Sequence, residues 1–161
     1  MQIYLLRHGI ADDGKPGRPD SERALTDEGR TRLRRVLKRA RSADVSPTLI
    51  LSSPYVRALQ TAEIAAEVFH YTGDLVQSHA FVPESSPRAA WDELRLYASE
   101  PAVLVASHEP LMSSCAAFLL SAPSLQVDMK KAALVRIDVE RYGADPGGLL
   151  KWMLTPGLCL E

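Results

Sequence analysis

The sequence contains little cysteine: Cys115 and Cys159 are the only two among 161 residues. Two thiols build neither a disulfide framework nor a four-ligand zinc site, and the composition reads as that of a reduced, intracellular protein. No excess of either charge is present. Nineteen Lys+Arg meet twenty Asp+Glu for a net charge of -1, which argues against a dedicated polyanion binder, so no nucleic-acid partner is expected. Long apolar runs are also missing. The most apolar stretch, Leu111 to Ala122, is broken by Ser113 and Ser114 and is too short for a bilayer, so no membrane partner is expected. No basic segment with an apolar stretch and a cleavage site opens the chain, which reaches Arg7-His8-Gly9 at once; a cytoplasmic protein without a removable leader is expected. Nine Gly and eleven Pro are too few for a low-complexity or collagenous chain. Without repeats or shifts of composition, residues 1–161 are expected to form one domain.

With 46% apolar residues, the pattern alternates short apolar strands with amphipathic helices. Ile3 to Leu6, Thr48 to Leu51, Leu75 to Val82 and Ala102 to Ala106 read as strands, the last a continuous central one. Thr26 is expected to cap a helix with Leu33, Val36, Leu37 and Ala40 inward, and Ser53-Pro54 to cap and open a second. Ser86-Pro87 starts a third helix, through about Tyr97, and Pro110 a fourth, with Leu111, Cys115 and Phe118 inward. Ala132 to Val139 and Leu149 to Leu154 look like a late hairpin or adjacent pair. The alternation implies an α/β three-layer sandwich, a mostly parallel central sheet with helices on both faces.

In such a sheet, ligands sit beyond the carboxyl ends of the strands. Strand one ends at Arg7-His8-Gly9, strand two at Ser52-Ser53 with Arg57 in the following helical turn, and the central strand at Ser107-His108. Two arginines, two histidines and two helix N-termini would meet in one crevice, a combination suited to a phosphoryl group. Neutral imidazole is a competent nucleophile near neutral pH and can carry a covalent phosphoryl intermediate. His8 is assigned that role, with its second ring nitrogen tied to an acceptor such as a backbone carbonyl. Arg7, Arg57 and a charged His108 are expected to bind the phosphate and neutralise its oxygens in the transition state. No His-x-x-x-His or carboxylate spacing suggests a metal site, and no metal or cofactor is expected. A serine hydrolase lacks its Gly-x-Ser-x-Gly elbow here, and a cysteine phosphatase its Cys-x5-Arg loop.

Arg7-His8-Gly9, the string Ser53-Pro54-Tyr55-Val56-Arg57-Ala58-Leu59-Gln60-Thr61-Ala62, and Ser107-His108-Glu109-Pro110 resemble the histidine phosphatase (phosphoglycerate mutase-like) superfamily. Within it the chain looks like the short SixA-type phosphohistidine phosphatases. Arg23-Ala24-Leu25-Thr26-Asp27-Glu28-Gly29 is similar to that branch's Arg-Pro-Leu-Thr-x-x-Gly element, with Ala24 in place of proline. The resemblance implies a phosphorylated His8 and a phosphate pocket completed by Arg7, Arg57 and His108. It also implies a place for a proton donor after the third strand, which Glu84 occupies as a possible general acid; the alternative for Glu84 is a solvated carboxylate near a helix N-terminus.

Fifty residues separate Arg57 from His108, which leaves no length for a cap domain. An uncovered site admits a side chain presented on a protein, so the expected substrate is phosphohistidine on a phosphorylated protein, such as a histidine-containing phosphotransfer domain. The alternatives are a broad small-molecule phosphomonoesterase and a catalytically silent phosphate- or phosphohistidine-binding module. Seven Lys/Arg lie between Arg30 and Arg41; they are a solvated helix face by default and a dock for an acidic substrate otherwise. His70 and His79 are expected to be structural, and Trp91, Tyr97 and Phe118 to belong to the core.

Overall fold

The computed structural model describes residues 1–159. Its strands are β1 Gln2–Arg7, β2 Leu49–Ser52, β3 Leu75–Gln77, β4 Ala102–Ser107, β5 Leu134–Asp138 and β6 Leu149–Leu154. The α-helices are α1 Asp27–Ser42, α2 Val56–Phe69, α3 Pro87–Leu94 and α4 Leu111–Leu119. The six strands form one sheet in the order β3-β2-β4-β1-β5-β6. β3, β2, β4 and β1 run parallel; on the far side of β1, β5 pairs antiparallel with β1 and β6 antiparallel with β5.

Alternation along each strand splits the core into two layers. On one face Ile3, Leu5, Leu51, Val103 and Val105 pack with Trp91 and Leu94 of α3 and Leu111, Cys115 and Leu119 of α4. On the other, Tyr4, Leu6, Ile50, Leu104 and Ala106 pack with Leu33, Val36 and Leu37 of α1 and Ala62, Ala65 and Phe69 of α2. β4 is buried along its whole length because both layers cover it. This is the sandwich that the alternating pattern implies.

Several boundaries differ from the sequence reading, each for a local reason. Ser53-Pro54 does not start α2: the Ser53 hydroxyl accepts from the Tyr55 amide at 3.2 Å, and helical bonding begins two residues later at Tyr55. The expected strand to Val82 ends at Gln77, where Ser78 accepts from the Ala80 amide and starts a single 3₁₀ turn that buries Phe81. Ala132 has φ 64°, outside the extended region, so β5 begins at Leu134 rather than at Ala132. α4 starts one residue after Pro110, and α3 finishes as a 3₁₀ turn over Arg95–Tyr97. Thr26 and Ser86 cap α1 and α3 as read from the sequence.

Trp91 is buried with its indole N–H donating to the Gly143 carbonyl, whereas Tyr97 and Phe118 are half-buried at the margin of the same layer. His70 is the left-handed C-cap residue of α2, with φ 55°. No helix among the described residues is long and apolar enough to cross a membrane.

Candidate active site

Strand register brings the three chemical clusters to one level. Arg7 lies opposite Ser107, and Ser52 opposite Ala106, so β1, β4 and β2 end together. Backbone bonds continue one residue further, from His8 N–H to the Ser107 carbonyl at 2.9 Å and from Ser53 N–H to the Ala106 carbonyl at 3.0 Å. His8, Ser53 and His108 therefore stand side by side above the sheet. The imidazoles of His8 and His108 meet edge to face with centroids 5.2 Å apart. Arg57, on the first turn of α2, donates from Nε to His8 Nε2 at 3.3 Å. Arg7 donates from Nη1 to the Met129 carbonyl at 2.7 Å. His8, His108 and Arg57 are thus gathered in one place, and the charge of Arg7 reaches both imidazoles.

Each ring has one nitrogen committed and one left over. His8 Nδ1 lies 2.7 Å from the Gly9 carbonyl, an acceptor only, so it carries the proton and leaves the Nε2 lone pair toward Arg57. His108 Nε2 is 2.8 Å from the Ser53 hydroxyl. Of the two partners of that hydroxyl among the described residues, the Tyr55 amide can only donate, so Nε2 is the acceptor for the hydroxyl proton, which assigns the ring proton of His108 to Nδ1. Among the described residues His108 Nδ1 and Arg7 Nε are buried donors without a partner. Buried donors are rarely left unpaired unless something else accepts from them, and an oxyanion would suit both.

The string from Ser53 to Ala62 is held by its own polar side chains. Gln60 Oε1 accepts from the Leu25 amide at 2.8 Å, and Thr61 Oγ1 accepts from the Gly9 amide at 3.3 Å while donating to the Arg57 carbonyl. Thr26 N–H donates to the Ile10 carbonyl, and α1 approaches that segment so closely that a Cβ on Gly29 would overlap the Ile10 oxygen. These ties fix the Arg7–Ile10 segment between α1 and α2. At the start of α4 one amide is already taken: Glu109 Oε1 accepts from the Ser113 N–H at 2.7 Å.

A family model described as the histidine phosphatase superfamily (branch 1) matches residues 3–78, the span holding Arg7, His8 and Arg57. The chain belongs to the histidine phosphatase superfamily. By class it is a phosphatase. It is 31% identical over 144 residues to an uncharacterized protein of Picosynechococcus sp., covering 84% of this chain and 83% of that one. It is 26% identical over 162 residues to the phosphohistidine phosphatase SixA of Escherichia coli, covering 97% of this chain and 94% of the relative. A solved structure of the protein histidine phosphatase SixA complexed with tungstate superposes with a TM-score of 0.86 at 24% identity, covering 98% of both chains.

Two residues of this histidine phosphatase site escaped the sequence reading. Asp20, in the 3₁₀ turn Asp20–Glu22, takes the outer edge of the Arg57 guanidinium: its carbonyl accepts from Nη1 at 2.8 Å and its Oδ2 from Nη2 at 3.0 Å. Arg23 holds the other carboxylate oxygen at 3.0 Å, and Arg23 first, then Arg57, keeps the Asp20 carboxyl below the usual carboxylate range. The only available signal was its position three residues before Arg23 in the Arg23–Gly29 element. Tyr55 stacks edge-on against His108 at 5.1 Å and lies beneath the Arg57 guanidinium at 5.2 Å. Its hydroxyl donates toward exposed Glu84 at 3.4–3.5 Å, which places Glu84 on the rim rather than against either imidazole.

In this phosphatase both imidazoles are pushed toward the neutral form. Burial first, then the nearby His8 and Arg57, push the His108 imidazole down to about 3. Burial first, against the bond to Gly9 and with the charges of Arg57, Arg7 and Lys131, takes His8 to about 4. Both rings are neutral at pH 7, and His8 keeps its lone pair. The linkage follows from proton counts. In the unfolded chain each imidazole takes up its proton near 6.5, whereas the folded forms wait until about 4 and about 3, so unfolding absorbs protons in between. Stability contributed by these neutral rings is full above pH 6.5 and declines as pH falls toward 4. Melting temperature measured from pH 7 to pH 4 is expected to fall, and His108→Asn to flatten that slope.

Cys115 is no rival nucleophile in this family member, since burial pushes its thiol up to about 12. The basic face of α1 is partly neutralised: Arg32 pairs with Glu28 and Arg34 with Glu67.

Proposed function

We propose that the chain is a phosphohistidine phosphatase acting on a phosphorylated protein, through a phosphoryl group carried on His8. The observation that carries the reading is the bond from His8 Nδ1–H to the Gly9 carbonyl, which commits one nitrogen and presents Nε2 unprotonated toward Arg57, with the His108 ring alongside.

Nε2 attacks phosphorus as the bond from phosphorus to the substrate's imidazole nitrogen breaks. That nitrogen leaves with a proton, and the phosphoryl group remains on His8. Water then attacks phosphorus, the bond to Nε2 breaks, and inorganic phosphate departs with His8 restored. Arg57 donates from Nε and Arg7 from Nε toward the equatorial oxygens, while His108 donates from Nδ1. A phosphate dianion adds negative charge beside the imidazole, so its arrival favours protonation of His108.

Two observations favour a protein substrate. Residues 70–101, between α2 and β4, are used for edge strand β3, the Phe81 turn and α3, which packs against α4 in the layer beneath the sheet. They go to the sheet edge, the lower layer and the rim at Glu84, with no separate cap domain between α2 and β4. In addition, the similarity to the E. coli phosphohistidine phosphatase SixA extends over 97% of this chain. A histidine-containing phosphotransfer domain has the required chemistry, a phosphorylated imidazole on a protein surface.

Glu84 supplies the test. An imidazole can leave already protonated, whereas an alkoxide needs a proton from the enzyme. Wild type and Glu84→Gln are to be compared on a phosphohistidine-bearing protein and on a panel of sugar phosphates. The expected result is a wild-type preference for phosphohistidine, with the substitution costing about 10²-fold on the esters and little on phosphohistidine. A strong wild-type preference for the sugar phosphates would defeat the substrate assignment.

A further inference from the structure

Arg7, the chain neighbour of His8, lines a groove of about 560 Å³. Its walls come from three places far apart in sequence: Arg32 on α1, the turn carrying Lys130 and Lys131, and Thr155 to Gly157 after β6. Ile10, Ala132 and Pro156 give it an apolar lining between the cationic groups.

The lysine turn is fixed to the backbone of the candidate nucleophile. Ala132, a non-glycine residue in the left-handed region at φ 64°, shares its amide between the carbonyls of Arg7 at 3.2 Å and His8 at 3.1 Å. Ala133 N–H closes onto the Lys130 carbonyl, and Arg7 N–H onto that of Ala133. L-residues hold such a conformation where surrounding bonds enforce it, often at functional sites. The consequence is that Lys130 and Lys131 cannot drift from Arg7.

The charges in the groove are available to a partner. Lys131 is exposed and forms no ion pair among the described residues, yet its charge reaches the His8 imidazole. Lys130 pairs with Asp128 and Arg32 with Glu28, but all four side chains are more than half exposed, and such pairs exchange readily for another carboxylate.

We propose that this groove receives an acidic segment of the phosphoprotein next to its phosphohistidine, with Lys131 as its principal contact. This rests on the phosphohistidine reading. The apolar lining suits the aliphatic stems of glutamates and the cationic rim their carboxylates, so the sequence around the phosphorylated residue is read while the phosphate is held.

Two chemically phosphorylated histidine peptides test it, one with glutamates flanking the phosphohistidine and one with glutamines. At about 0.05 M salt the wild type is expected to show a kcat/KM about fivefold higher on the glutamate peptide. At about 0.5 M salt the ratio falls to near one, because screening shortens the reach of exposed charges. Lys131→Glu brings the low-salt ratio to one or below, while Lys151→Glu, the same charge change on edge strand β6, keeps it. Equal wild-type rates on the two peptides, or a preference that survives Lys131→Glu, overturns the docking assignment and leaves phosphohistidine hydrolysis standing. Hydrolysis of neither peptide alongside hydrolysis of a phosphomonoester overturns the phosphohistidine reading, and this inference with it.

Discussion

His8→Ala is expected to lower turnover by about 10⁴-fold or more, the scale seen when a covalent nucleophile is removed. No neighbour can substitute. His108 has Nε2 committed to Ser53 and its ring proton on Nδ1, so it presents no lone pair toward the phosphate. Cys115 is buried with its thiol far from ionisation. Brief exposure of wild type to a labelled phosphohistidine protein, followed by denaturing quench, should leave an acid-labile, base-stable label on the enzyme. His8→Ala should leave none. Among the described residues the hydrogen bonds and ring contacts of the His8 side chain are to the Gly9 carbonyl, Arg57 and the His108 ring, all within the site, so circular dichroism should show an intact fold. Retention of more than about 1% of wild-type turnover would sink the assignment, since it falls far short of that loss.

Arg57→Lys is the more demanding test, because it keeps the charge and removes the fork. In the structure all three guanidinium nitrogens are engaged: Nη1 and Nη2 with Asp20, and Nε with His8. The edge held by Asp20 fixes the plane, which leaves the Nε edge to follow the phosphoryl oxygens as they flatten in the transition state. A lysine has one nitrogen on a flexible stem and cannot serve both ends. The expected loss in kcat/KM is about 10²- to 10³-fold, the usual cost of an oxyanion donor. Asp20→Ala, which frees the outer edge and leaves the guanidinium intact, should fall between wild type and Arg57→Lys. A lysine variant within a few-fold of wild type would mean that net charge, and not the geometry of the fork, does the binding.

The sandwich was legible because its strands and helices carry clean periodicities. Ala102 to Ala106 is apolar at every position since helices cover both sides of β4, and Leu33, Val36, Leu37 and Ala40 repeat at helical spacing since one side of α1 faces the sheet. Where propensity met a specific hydrogen bond, the bond prevailed. Ser53-Pro54 has the composition of a helix start, yet the Ser53 hydroxyl serves the Tyr55 amide and His108, and α2 waits until Val56. Leu75 to Val82 has strand composition, yet Ser78 turns the chain to bury Phe81.

At the candidate site, residue type and place at strand ends were enough to select Arg7, His8, Arg57 and His108, since a parallel sheet delivers its carboxyl ends to one edge. That logic has no purchase on partners reached through loops. Asp20 lies 37 residues from Arg57, and Met129 lies 122 from Arg7, in segments without periodicity. Protonation was equally hidden: a histidine is drawn charged or neutral by burial and by its neighbours' charges, and these exist only once the chain is packed. Local pattern thus named the layers and the reactive groups. Long-range folding set the clamp on Arg57, the proton positions on both imidazoles and the lysine turn beside Arg7, because each depends on contacts between segments that the linear order keeps apart.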